Sequence, residues 1–119
     1  MPIAGVSIPV SDQQVAKAFY VDVLGFAIDR ETHMPNGTIW IQLQPPGGGP
    51  FVTLTSTSTM APGSIHGMVF DLPELDALIA KIRALGHAVD DPAEQVWGRY
   101  TTIRDPDGNG WVLATRKAH

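Results

Sequence analysis

The sequence predicts an α+β fold made of two successive βαβββ halves, because one pattern of strand, helix and three strands occurs twice. Two repeated features carry this prediction. The helix-ending pairs Leu24-Gly25 and Leu85-Gly86 lie 61 residues apart, and the last strands, Phe51–Thr53 and Trp111–Leu113, begin 60 residues apart. A fixed internal period is typical of duplicated supersecondary units. An accidental match of two α+β segments is the alternative.

In the first half, alternation of Val6, Ile8 and Val10 predicts a half-buried strand over Ile3–Val10. Ser11 and Asp12 are good N-cap residues, and apolar residues recur after them at helical spacing until Gly25 ends the helix. Three strands are then predicted, over Phe26–Arg30, Thr38–Gln44 and Phe51–Thr55.

The second half repeats this order. Alternation predicts a strand over Met68–Leu72, Pro73 suits the first turn of a helix, and Gly86 closes that helix. The helix has one apolar face, formed by Leu75, Leu78, Ile79, Ile82 and Leu85. Three more strands are predicted, one beginning at Ala88-Val89, one over Tyr100–Arg104 and one over Trp111–Thr115, with a turn at Asp105–Gly110.

Length and composition predict one domain over residues 1–119, since 119 residues with 44% hydrophobic content can bury a core unaided. Module one covers about 1–56, a linker about 57–63 and module two about 64–117. The chain has no cysteine, which excludes disulfides, thiolate nucleophiles and cysteine-based zinc sites.

Charge and hydropathy narrow the class of partner. The net charge is −4 and there is no basic run, so nucleic-acid binding has no electrostatic support. No signal peptide and no run of the ~20 apolar residues that span a bilayer is found. We therefore expect a cytoplasmic protein that handles a small molecule and binds neither nucleic acid nor membrane.

Several segments together resemble the vicinal oxygen chelate superfamily, the glyoxalase/bleomycin resistance protein/extradiol dioxygenase family. They are Val6–Asp12, Phe19–Phe26, Trp97-Gly98 and Arg104–Trp111. The resemblance covers essentially the whole chain and implies a curved mixed eight-stranded sheet around a concave cavity, with helices on the convex side, in a homodimer. It does not imply one reaction, because relatives include isomerases, epimerases, dioxygenases, thiol transferases and antibiotic-sequestering proteins.

The same resemblance implies where a catalytic metal would bind. Its ligand positions on the first, fifth and last strands correspond to Gly5, Gly67 and Val112, which have no donor side chain. His66 is out of phase by one residue, so we interpret it as a partly exposed strand-end histidine, although a bulge would bring it into phase. We predict no metal site and no cofactor.

Strand alternation predicts which side chains line the cavity. Six of them are candidate ligand-binding residues: Trp40, Gln42, Asp71, Tyr100, Thr102 and Arg104. The same alternation adds Ser7, Val52, Leu54, Val69 and Val112 to the lining. This mixture of apolar and aromatic groups with a few polar ones is typical of a small-molecule pocket.

Several of these residues have two interpretations. Trp40 and Tyr100 either stack on a flat ring or fill the concavity or a dimer contact. Arg104 either binds a carboxylate or phosphate or forms an internal salt bridge with Asp71. Trp97 is interpreted as shaping the turn before the seventh strand rather than as a lid.

Three functions are compatible with these residues. The first is a metal-independent binder of a small apolar or aromatic molecule, similar to the antibiotic-sequestering relatives. The second is a metal-dependent lyase, isomerase or dioxygenase of the same superfamily. The third is metal-free acid–base catalysis by Asp71 or Tyr100 in a buried pocket. No catalytic residue is assigned, and the sequence leaves open whether the protein is an enzyme.

Overall fold

The fold is seen in a computed structural model, which describes residues 2–57 and 59–117. Ser58 of the predicted linker and His119 lie outside these residues. The elements, in chain order, are β1 Gly5–Pro9, α1 Gln13–Ala18, a π-helical turn Phe19–Val23, β2 Ala27–His33, β3 Ile39–Gln44, β4 Phe51–Thr55, β5 Met68–Asp71, α2 Leu75–Ala84, β6 Ala93–Gln95, β7 Gly98–Arg104 and β8 Gly110–Arg116. The predicted α+β fold with two βαβββ halves is confirmed.

Hydrogen bonding divides the strands into two four-stranded mixed sheets, ordered β1-β4-β3-β2 and β5-β8-β7-β6. In each sheet one pair is parallel, β1 with β4 and β5 with β8, and the other pairs are antiparallel. The two sheets therefore have the same topology, which agrees with the repeat in the sequence. Their residues form two compact units, in which the turn Asp105–Asn109 belongs to the first unit although it connects two strands of the second.

In the first unit, α1 begins as its N-cap predicts. The Asp12 carboxylate accepts hydrogen bonds from the backbone N–H groups of Gln14 and Val15, at 2.9 and 3.1 Å. The helix then widens into the π-helical turn, where the Leu24 N–H donates to the Phe19 carbonyl at 3.3 Å. Gly25 ends it with a φ of 78°, a conformation that favours glycine.

A buried polar network joins the turn 105–109 to the rest of the first unit. One oxygen of Asp105 accepts from the Tyr20 hydroxyl and the Asn109 amide, both at 2.8 Å. Its other oxygen accepts from the backbone N–H groups of Asp107 and Asn109, at 3.0 and 2.9 Å. Asn109 also donates to the Pro9 carbonyl at 3.0 Å. The turn is therefore part of the first unit's core.

In the second unit, α2 packs on the sheet through an ion pair as well as through its apolar face. The Arg99 guanidinium of β7 donates twice to the Asp76 carboxylate of α2, at 3.0 and 2.9 Å. Trp111 is buried and stacks on Phe70, with ring centroids 4.5 Å apart, so it belongs to the core of this unit. Among the described residues, no helix is long and apolar enough to cross a bilayer.

The prediction of a strand beginning at Ala88-Val89 is wrong, because the sixth strand is Ala93–Gln95. The Val89 carbonyl is instead used by Arg83, which donates to it through Nε and Nη2 at 3.1 and 2.6 Å. The same guanidinium pairs with Asp91 at 2.9 Å. This contact holds the segment against the end of α2. It also gives the Val89 carbonyl a hydrogen-bond donor that does not come from a neighbouring strand.

Candidate functional site

The first sheet has a buried face and an open face, and strand register decides which residues share them. Ile41 pairs with Leu54 and Leu43 pairs with Val52. Cross-strand partners point to the same side of a sheet, so these four belong to the buried core. The prediction that Val52 and Leu54 line the cavity is therefore wrong by one residue, because β4 was placed out of phase with its neighbours.

The open face of the first sheet holds Trp40 and Gln42, as predicted, and their side chains are bonded to each other. The Trp40 indole N–H donates to Gln42 Oε1 at 3.0 Å, and Gln42 Nε2 donates to the Asp29 carboxylate at 2.6 Å. Asp29 lies at the bulge between Ile28 and Arg30 in β2. Gln42 therefore orients the indole of Trp40, a role that alternation alone does not predict.

The open face of the second sheet holds the other four predicted residues. Register places Asp71 and Tyr100 on either side of Ala114, and Thr102 opposite Val112. Arg104 is on the same face but pairs with Gly110, at the far end of β7. The alternation predicted for these strands agrees with the register. All four side chains are half-buried or exposed.

The internal salt bridge suggested between Asp71 and Arg104 is not formed, because Asp71 pairs with Arg116 at 2.6 Å. Arg104 comes four positions after Tyr100 in β7, roughly 13 Å along a strand, so register alone keeps Arg104 from this carboxylate. Hydrogen bonding to Asp71 raises the pKa of the Arg116 guanidinium. The carboxylate is exposed and ion-paired, whereas acid–base catalysis by Asp71 requires a buried pocket.

An exposed aromatic pair on the second unit went unrecognised in the sequence. The rings of Trp97 and Tyr100 stack with centroids 6.0 Å apart and an interplanar angle of 21°, and 44% of Trp97 is exposed. We call this pair the aromatic platform. Trp97 lies in the turn between β6 and β7, as predicted, and not in a strand, so strand alternation does not fix the side to which its ring points. Gly98, which follows it, has a φ of 154° and no room for a Cβ against the Thr115 carbonyl.

The residues at the implied metal positions do not fit a metal ion. A Cβ added at Gly5 would overlap the ring of Phe51, its partner across β1 and β4. Gly67 has a φ of 86°, which strains any residue with a side chain. Val112 is aliphatic. Among the described residues, no group of three His, Asp or Glu side chains is close enough to hold a metal.

His66 precedes β5 rather than lying in it, and its side chain is exposed. Its Nδ1 lies 2.8 Å from the place where a Cβ of Gly110 would be, so the imidazole covers this glycine. His33 is the last residue of β2, and His87 follows α2. The interpretation of His66 as a strand-end histidine agrees with these positions.

Installing a metal ligand at Gly5 is expected to destabilise the protein rather than create a metal site. In Gly5→His the new side chain competes with the Phe51 ring for the same space, which we expect to cost about 1–3 kcal/mol. Thermal unfolding measures the loss, and zinc titration checks for binding. The double variant Gly5→His/Phe51→Ala is the control, and equal destabilisation of the single and double variants would contradict the explanation.

Comparison with known proteins identifies similar chains. Residues 3–113 match the family model described as Glyoxalase/Bleomycin resistance protein/Dioxygenase superfamily. The antibiotic binding protein TnmS3 from Streptomyces sp. CB03234 is 36% identical, with a TM-score of 0.90 over 98% of this chain and 97% of its own. A glyoxalase/bleomycin resistance protein from the same strain is 38% identical, with a TM-score of 0.85 over 94% and 98%. Uncharacterized protein YetH of Bacillus subtilis (strain 168) is 27% identical over 93% of this chain and 95% of its own.

Proposed function

Because the chain belongs to the glyoxalase/bleomycin resistance protein/dioxygenase superfamily, we propose that it uses this fold to bind a small apolar or aromatic molecule without a metal ion. The observation that carries the proposal is the aromatic platform on the open face of the second sheet. Stacking of a flat ring on such a pair contributes about 0.5–1.5 kcal/mol beyond the burial of apolar area.

The surroundings of the platform support a flat, largely apolar ligand. Val69, on the same face, is 62% exposed, and Val112 lies between it and Thr102 in the register. Exposed apolar side chains grouped on one face are typical of a binding surface. The Asp71–Arg116 ion pair and the exposed Arg104 provide the few polar groups that orient a ligand in such a site.

Two further observations support binding in preference to metal-dependent catalysis. The positions that hold metal ligands in active relatives are here two glycines and a valine, and the space or backbone at both glycines is unsuited to a side chain. TnmS3, which shares the fold and about a third of the sequence, is an antibiotic binding protein. We therefore propose sequestration of an aromatic, antibiotic-like compound.

Metal removal is expected to leave ligand binding unchanged. Protein treated with EDTA would be screened against planar aromatic antibiotics and dyes by tryptophan fluorescence, and we expect a saturable hit with the same dissociation constant before and after treatment. The matched control is the same titration with zinc or manganese added back. Binding that requires the added metal would overturn the proposal, and so would a broad panel without a hit.

The homodimer and the cytoplasmic location implied by sequence and family remain part of the proposal. Val96, which precedes Trp97 in the sequence, is 93% exposed. A second copy of the chain that covers this segment would therefore bury apolar area. Analytical ultracentrifugation measures the mass in solution, and a monomer at micromolar concentration would contradict the homodimer.

A further inference from the structure

Both asparagines of the chain, Asn36 and Asn109, are followed by glycine. Asparagine in this context loses ammonia without an enzyme, because glycine has no Cβ to keep its backbone nitrogen away from the side-chain amide. Asn109 is fully buried, and its Nδ2 donates to the Pro9 carbonyl at 3.0 Å and to the Asp105 carboxylate at 2.8 Å. Asn36 is exposed, in the hairpin turn that joins β2 to β3. The surroundings of the two amides therefore decide which one reacts.

Two backbone hydrogen bonds close the turn around Asn36. The Gly37 N–H donates to the Met34 carbonyl at 3.1 Å, and the Met34 N–H donates to the Thr38 carbonyl at 2.8 Å. Gly37 has a φ of 86°, and nothing lies within 4 Å of the place where its Cβ would be. Exposed turns with so few contacts open locally at a small cost in free energy. Such an opening breaks the bond from Gly37 to Met34 and releases the nitrogen that attacks Asn36.

Thr38 supplies two hydrogen-bond donors to the side-chain carbonyl of Asn36. Its backbone N–H and its hydroxyl both donate to Asn36 Oδ1, at 3.1 and 2.6 Å. Attack on Cγ puts negative charge on Oδ1, and donors already directed at that oxygen lower the barrier. These bonds connect residues two apart and do not involve Met34, so they are compatible with the opening of the turn.

We infer that Asn36 is a site of spontaneous deamidation, in which Thr38 stabilises the transition state. The Gly37 nitrogen forms a bond to Asn36 Cγ, the bond from Cγ to Nδ2 breaks, and Nδ2 leaves as ammonia with the proton lost by Gly37. Water then opens the cyclic imide at either carbonyl and gives aspartate or isoaspartate. Both products add a negative charge, and isoaspartate also lengthens the main chain beside the Met34–Thr38 pair. The inference does not depend on ligand binding at the aromatic platform.

The test is ageing of the full-length protein in mildly alkaline buffer, followed by tryptic digestion and mass spectrometry. The two asparagines fall in different tryptic peptides, 31–81 and 105–116, so each serves as a control for the other. We expect Asn36 to be converted at least roughly 100-fold faster than Asn109, because Asn109 reacts only after its buried network has opened. In guanidinium chloride, which removes this difference in structure, the two rates are expected to become similar. Equal rates in the folded protein would overturn the assignment of Asn36.

Two variants test the role of Thr38. Thr38→Val keeps the shape of the side chain and removes the hydroxyl donor, so deamidation of Asn36 is expected to slow roughly 2- to 10-fold. Thr38→Ser keeps the hydroxyl and is expected to retain the rate. Circular dichroism checks that both variants are folded. An unchanged or faster rate in Thr38→Val would overturn the role of Thr38, because a turn that is merely loosened reacts faster and not more slowly.

Discussion

Replacing Asp105 with alanine is expected to lower the free energy of unfolding by about 3–5 kcal/mol. The Asp105 carboxylate is 5% exposed and accepts four hydrogen bonds, two from side chains and two from backbone N–H groups. Its removal leaves the Tyr20 hydroxyl and the Asn109 amide without this acceptor inside the core. Urea denaturation followed by circular dichroism measures the loss, with the midpoint falling and the slope preserved.

Two variants distinguish the contribution of this hydrogen-bond network to stability from that of the turn in which Asp105 lies. Tyr20→Phe removes one donor and keeps the ring, so a loss of about 1–2 kcal/mol is expected. Asp107→Ala changes the same turn, but its carboxylate bonds to Ser11 at the surface, and we expect less than about 1 kcal/mol. If Asp105→Ala were no more destabilising than Asp107→Ala, the network would not be a main source of stability.

Replacing Trp97 with leucine is expected to weaken binding of the aromatic ligand recovered from the screen roughly 10- to 100-fold, while the protein stays folded. The indole is 44% exposed and stacks on Tyr100, so its loss removes half of the platform but little of the core. Aromatic side chains at the centre of a binding surface commonly contribute about 1–3 kcal/mol. Isothermal titration calorimetry measures the change in the dissociation constant.

Three variants serve as matched controls for the platform. Ile3→Thr alters a side chain that is 69% exposed and is not part of the platform, so affinity is expected to stay within a factor of two. Tyr100→Phe keeps the ring and is expected to retain binding, whereas Tyr100→Leu is expected to lose it as Trp97→Leu does. Full affinity in both leucine variants would rule out the platform as the binding surface.

The sheet face on which each candidate residue lies was predictable where alternation within one strand is enough to assign it. This holds for Trp40 and Gln42 of β3 and for Tyr100, Thr102 and Arg104 of β7. It failed for Val52 and Leu54, although these two residues alternate with Thr53 and Thr55 along β4 and so lie on the side opposite to the threonines. The pairing of β4 with β3 shows that Val52 and Leu54 face the core.

Side-chain pairs between different strands could not be predicted either, because local sequence patterns do not set the register between strands. The sequence contains several arginines, and which of them pairs with Asp71 depends on the register of β5, β8 and β7, which places Arg116 near it and Arg104 far from it. The position of Trp97 over Tyr100 depends on the backbone of Gly98 against the neighbouring strand. Neither fact is contained in the local pattern of residues.

The sequence by itself determined the duplicated βαβββ order, the superfamily, and the lack of donor side chains at Gly5, Gly67 and Val112. Each of these follows from local periodicity, turn residues and the identity of single positions, which act over a few neighbouring residues. The tertiary structure alone decided the partner of Asp71 and the aromatic platform. These features depend on the register between strands, and register is set by the packing of whole sheets against their helices.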